Sequence, residues 1–161
     1  MYVPYHTLPD NARVWIYQSN RKFTEEELVK VQELTVEFIE QWTRHGEQVK
    51  GSYTLVYDQF LMIAVDQEFV EVSGCSIDAS VKLVQQFQID FGVDMLNKLS
   101  IAYLEDDLVN VATISEFATL VKEGKVTEET LVFNNMIDIK KGLEEQWQIP
   151  AKESWQARFF N

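Results

Sequence analysis

The sequence predicts an α+β fold: a ferredoxin-like β-α-β-β-α-β core with an antiparallel sheet, extended at its C-terminus by a further strand and helices. Three observations predict it. Two long segments carry apolar residues at every third or fourth position, and β-branched or aromatic runs alternate with them. Neighbouring runs near 53–65 and 101–111 are separated by only a few polar residues, which makes their strands antiparallel. The 161 residues are 46% hydrophobic and 25% charged with only six Gly and three Pro, so no linker is visible and one domain over residues 1–161 is expected.

Arg13-Val14-Trp15-Ile16-Tyr17-Gln18 is β-branched and aromatic and reads as the first strand. An explicit helix start follows. Thr24 at the N-cap and Glu27 three residues on form a capping box, Phe23 and Leu28 form the accompanying hydrophobic staple, and Glu25 to Glu27 suit the positive end of the helix dipole. Leu28, Val31, Leu34, Phe38, Ile39 and Trp42 make one apolar stripe, so a helix is expected over about 25–45, closed by Gly46. His45 then sits at that helix's C-terminus. Residues 53–57 and 60–65 read as a hairpin turning near Asp58-Gln59, and the second run, apolar on both faces, reads as a central strand.

After the acidic residues Asp66, Glu68 and Glu71, Ser76 reads as the N-cap of a second helix carrying Ile77, Val81, Val84, Phe87 and Phe91, closed by Gly92. Residues 101–104 and 108–111 form a second hairpin around Glu105-Asp106-Asp107. Ser115 is expected to cap a short helix ending at Gly124, Leu131-Val132-Phe133 is a short strand, and Ile139, Leu143 and Trp147 place a last helix ahead of Pro150.

Fourteen basic against 26 acidic residues give a net charge of −12, which repels nucleic-acid phosphates and anionic membrane surfaces. The basic pairs Arg21/Lys22 and Lys140/Lys141 stand alone beside acids, so neither nucleic acid nor membrane is an expected partner. A single cysteine, Cys75, allows no intramolecular disulfide and suits a reducing compartment. Met1 to His6 has neither the basic nor the apolar region of a secretory signal, and the longest apolar run is the six residues Phe60–Val65, so a cytoplasmic location is expected.

Catalytic motifs are tested by what their chemistry requires. A phosphate-binding P-loop needs G-x-x-x-x-G-K-[ST], but Gly124-Lys125 is followed by Val126, and Thr119 stands at the first glycine's place. The chain is therefore not a P-loop ATPase. Cys75, His6 and His45 are too scattered for zinc, and Asp66, Glu68, Glu71 and Asp106 lack calcium-loop spacing, so no metal or cofactor is expected. Gly74-Cys75-Ser76-Ile77-Asp78 places a thiol at a helix start, where the dipole favours thiolate and free backbone N–H groups suit an anion. Asp78 opposes both effects, and Cys75 as a small buried hydrophobe is the favoured reading. In the alternative, a thiol-dependent enzyme or anion binder, the pocket contains Cys75, Ser76, Asp78, His6, Asp10 and Arg13. The leading reading is a small binding or interaction domain without catalysis, a homodimer or the partner of another protein, anchored by Trp155, Arg158, Phe159 and Phe160.

The stretches Tyr2-Val3-Pro4-Tyr5-His6-Thr7-Leu8-Pro9, Arg13 to Ser19, Ser73 to Val81, Val132-Phe133-Asn134-Asn135, Pro150-Ala151-Lys152 and Ser154-Trp155 together resemble a family of short, functionally uncharacterised proteins of Bacteroidetes-type bacteria. Some members carry the label "ABC transporter ATPase". The missing P-loop argues against that label here, and Ser73-Gly74 only faintly echoes the L-S-G-G-Q signature of that class. The resemblance implies a stand-alone domain of full length and carries over neither activity nor site residues.

Overall fold

The structure is a computed structural model that describes residues 1–68 and 74–161, with side chains described for 1–68 and 78–161. The chain forms two compact units, one of residues 1–96 with 138–141 and one of residues 97–137 with 142–161. The chain passes between the units three times, after residues 96, 137 and 141.

The first unit contains β1 (Arg13–Gln18), α1 (Glu25–Gln41), β2 (Thr43–Arg44), β3 (Glu47–Gln48), β4 (Gly51–Val56), β5 (Phe60–Val65) and α2 (Gly74–Phe91). Its main sheet has the order β1-β5-β4, antiparallel throughout. Every residue of β5 is buried, as expected of a central strand. Alternation puts Trp15 and Tyr17 of β1 and Leu61, Ile63 and Val65 of β5 on one face. There they pack with Val31 and Phe38 of α1 and Val84 and Phe87 of α2. The Tyr17 and Ser80 hydroxyls meet at 2.6 Å in this core. Close approach of strand and helix requires Gly51: a Cβ there would lie 3.1 Å from the Ala64 carbonyl oxygen and 3.4 Å from Ile39 Cγ2.

The capping box of α1 is formed as expected, with Thr24 Oγ1 accepting from Glu27 N–H and Glu27 Oε1 accepting from Thr24 N–H. The helix stops at Gln41, short of the expected 45. Trp42 is already extended, and His45 and Gly46, with φ of 49° and 82°, form the two-residue turn between β2 and β3. Gly46 thus supplies a hairpin turn instead of a helix cap. In α2 the backbone is already helical at Gly74, so Ser76 lies inside the first turn instead of capping it. Gly92 ends α2 with φ of 64°, its N–H donating to the Gln88 carbonyl.

A short distant segment completes this unit. Val14 N–H donates to the Asp138 carbonyl at 2.8 Å, while the N–H groups of Lys140 and Lys141 donate to the carbonyls of Ala12 and Asp10, each at 2.9 Å.

In the second unit, β6 (Ile101–Glu105), β7 (Leu108–Ala112), β8 (Leu131–Phe133) and β9 (Gln148–Pro150) form a sheet of order β7-β6-β8-β9. Helix α3 (Ile114–Lys122) packs with it, and α4 (Lys140–Gln146), whose first two residues belong to the first unit, precedes β9. Ile101, Tyr103, Phe117, Val126, Val132 and Ala151 are its buried core. The cap of α3 is Thr113, not Ser115: Thr113 and Glu116 form a second capping box, which leaves Ser115 in the first turn. The last helix stops one residue before Trp147, and Pro150 lies in the edge strand β9, where a missing N–H costs little.

The mixed α+β class with antiparallel sheets is therefore present. The expected ferredoxin-like pairing into one sheet is not what these strands form. The fourth strand of that pattern, β6, pairs with β7 and β8 in a separate sheet. The two-residue turn at Asp106-Asp107 ties β6 to β7, and the pairing of Tyr103 with Val132 uses its other edge.

Candidate functional site

The residues of the expected thiol pocket fall in three places. The side chains of Cys75 and Ser76 lie outside the described residues. Asp78 is exposed on α2. His6 and Asp10 are exposed in the N-terminal segment, where Tyr5–Thr7 form one short 3-10 turn. Arg13 opens β1, its Nη1 donating to Asp138 Oδ2 at 3.1 Å and its guanidinium carbon 5.7 Å from the centre of the Trp15 ring. Among the described residues no hydrogen bond joins His6, Asp10 and Arg13, and no group of three His, Cys, Asp or Glu side chains is placed to hold a metal ion. No helix among them is long and apolar enough to cross a membrane.

The aromatic tail divides in two. Residues Trp155–Phe160 form a 3-10 helix whose Ser154 side chain accepts from Gln156 N–H. Phe159 packs edge-on against Phe117 at 5.2 Å, and Phe159 and Phe160 both join the second unit's core. These two expected interface anchors are half-buried, packed against the buried core of their own unit. Trp155 remains 44% exposed, with the Arg158 guanidinium 4.8 Å from its ring centre and 5.4 Å from that of Phe159. Of the four expected anchors, these two face solvent.

A different feature emerges at β7. This strand is an edge of its sheet. The two-residue turn makes Glu105 and Leu108 a hydrogen-bonded pair, so by antiparallel alternation the N–H and C=O groups of Val109 and Val111 point away from β6. Leu108, Val109, Asn110, Val111 and Ala112 include neither a charge nor a proline, the devices that usually protect such an edge. Beside the strand runs a shallow groove of about 400 Å³ between β7 and α3. Its lining includes Tyr103, Val111, Ala112, Ser115, Glu116 and Thr119.

Carboxylates lie near the groove. Burial pushes the Tyr103 hydroxyl up from its ordinary pKa, the charges of Glu105 and Glu116 push the same way, and Lys125 only partly offsets them. Lys125 is itself 3.3 Å from Glu123. Asp106 and Asp107 lie at the turn that opens the strand. The sequence signal for this site was the acidic turn followed by an uncharged strand and a T-x-x-E helix start.

Comparison with protein-family models, with curated proteins and with solved structures finds no match to this chain.

Proposed function

We propose that this chain is a binding domain without catalysis, which captures an extended, basic segment of a partner protein by adding it as a strand to β7. The observation that carries the reading is the free, uncharged edge at Val109 and Val111 beside the groove. Strand addition obtains affinity from main-chain hydrogen bonds, and side-chain pockets supply specificity. Glu105, Asp106, Asp107 and Glu116 favour Lys or Arg in the added segment. The net charge of −12 works against pairing two copies of this chain. Exposed Trp155, backed by Arg158, supplies a rigid aromatic contact of the kind enriched in interfaces. The lone cysteine supports work in a reducing, cytoplasmic setting.

The test uses Val109→Pro. The N–H lost there points away from β6, so the β6–β7 ladder survives while strand addition is blocked. Fluorescence anisotropy with a labelled hexapeptide of alternating Lys and Val should show binding that V109P weakens at least tenfold, with its circular dichroism unchanged. A Glu–Val peptide should bind more weakly. Equal binding by V109P, or no difference between the two peptides, overturns the reading. Sedimentation velocity decides the occupant: a wild-type dimer that V109P dissolves makes the partner a second copy.

A further inference from the structure

Two mirrored tripeptides in the first unit, Arg13-Val14-Trp15 and Trp42-Thr43-Arg44, are brought together by the fold. Both are extended, in β1 and in the passage from α1 into β2, so each Arg and Trp two residues apart point to the same side of their strand. The two tripeptides meet through their indoles, with Trp15 and Trp42 centred 6.0 Å apart and tilted by 57°. The Arg13 guanidinium lies over the Trp15 ring, 5.7 Å from its centre.

The hydrogen-bonding balance of these four side chains is unusual. Among the described residues, eight buried side-chain polar atoms have no partner, and five of the eight are here: Arg13 Nε, Trp15 Nε1, Trp42 Nε1, Arg44 Nε and Arg44 Nη1. Trp42 is only 4% exposed. All five are N–H donors on groups that cannot accept. No rearrangement of hydrogens pairs them with one another, and buried donors are normally satisfied. Two of the four groups are cationic, in a chain whose net charge is −12. Among the described residues, the one carboxylate ion-paired here, Asp138, is engaged by Arg13 Nη1 and is itself 56% exposed.

We infer that the Arg13–Trp15–Trp42–Arg44 cluster is a binding site for a small organic oxyanion, a carboxylate or phosphate group whose oxygens accept from the indole and guanidinium N–H groups. Guanidinium presents a planar fork of donors matched to such groups. The site is built wholly from the first unit and owes nothing to the β7 reading.

The test is the indole N–H region of a ¹⁵N spectrum of the full chain, which contains one signal from each of four tryptophans. Single Trp→Phe variants assign them. The protein is titrated with sodium phosphate and with sodium benzoate, with sodium chloride at matched ionic strength as reference. The expected result is saturable movement of the Trp15 and Trp42 signals with one or both oxyanions, while Trp147 and Trp155 stay in place. Arg44→Gln should weaken the same titration at least tenfold while the Trp147 and Trp155 signals keep their folded positions. Should R44Q misfold, Arg13→Gln provides the same reading from the other end of the cluster. Saturation by phosphate alone or by benzoate alone identifies the headgroup. Equal response to chloride, linear drift without saturation, or unchanged affinity in folded R44Q and R13Q overturns the inference, leaving the donors hydrated only.

Discussion

Arg21 and Glu27 are joined twice, Nη1 to Oε1 at 2.8 Å and Nη2 to Oε2 at 2.9 Å. The same Glu27 closes the capping box of α1, and the same Arg21 donates from Nη2 to the Phe91 carbonyl at the end of α2. One ion pair thus ties the start of one helix to the end of the next. The hydrogen bonds from Arg21 hold the Glu27 carboxyl down at about 2, from an ordinary 4.5, against the opposing effect of burial, with Thr24 adding to the depression.

A depressed carboxyl contributes stability that is fully present above the ordinary pKa and is lost as pH falls from about 4.5 through about 2. Because the Arg21 side chain is 41% exposed, solvent screens the pair, and Glu27→Gln should cost about 1–2 kcal/mol at pH 7. Urea unfolding at pH 7 and pH 2.5 measures it: the deficit of E27Q relative to wild type should shrink at the lower pH. A deficit that stays constant would assign the effect to packing and not to charge.

Asp106 and Asp107 turn the β6–β7 hairpin with φ of 53° and 63°, both in the left-handed region. That two-residue geometry favours Asn-Gly, and the chain uses two acids instead. Asp106→Asn with Asp107→Gly should therefore stabilise the protein by about 1 kcal/mol, read as a higher urea midpoint at unchanged slope. The same pair should weaken the Lys–Val peptide at β7, because two of the nearby acids are gone. Higher stability with unchanged peptide affinity would remove this turn from the binding site.

Much of the fold is legible because local chemistry and tertiary structure agree. Thr24 and Glu27 announce α1, Gly92 and Gly124 end α2 and α3, and the wholly apolar Phe60–Val65 is the central strand. The misses arise where one residue type serves two purposes. Gly46 has the same left-handed backbone in a hairpin turn as in a helix cap, so its presence did not distinguish them. Ser115 and Thr113 both suit a cap, and Thr113-x-x-Glu116, which repeats the pattern of Thr24-x-x-Glu27, is the one that forms it. Partition of the strands between two sheets depends on which edges meet, and alternation within a strand carries no such information. The edge at β7 and the Arg–Trp cluster were hidden for the same reason: each consists of ordinary residues made unusual by what does not pair with them. Phe159 and Phe160 are readable as apolar anchors, whereas the core they pack against is not.

Lys140 is 5% exposed, its Nζ donating to the Leu8 carbonyl at 2.8 Å and lying 5.3 Å from the centre of the Tyr5 ring. It fastens residues 138–141 onto the N-terminal segment, beside the backbone bonds at Asp10, Ala12 and Val14. A buried ammonium carries a desolvation cost that one carbonyl and one aromatic face only partly offset, while its four-carbon stem packs like an apolar side chain. Lys140→Ala should remove stem and charge together and destabilise by about 2–3 kcal/mol, whereas Lys140→Met keeps the stem and should cost about 1 kcal/mol or less. Hydrogen exchange localises the effect: protection of the Val14 and Lys141 amides should fall in K140A and persist in K140M. Equal loss in both variants would show that the ammonium bond to Leu8, and not the packing of the stem, holds this segment in place.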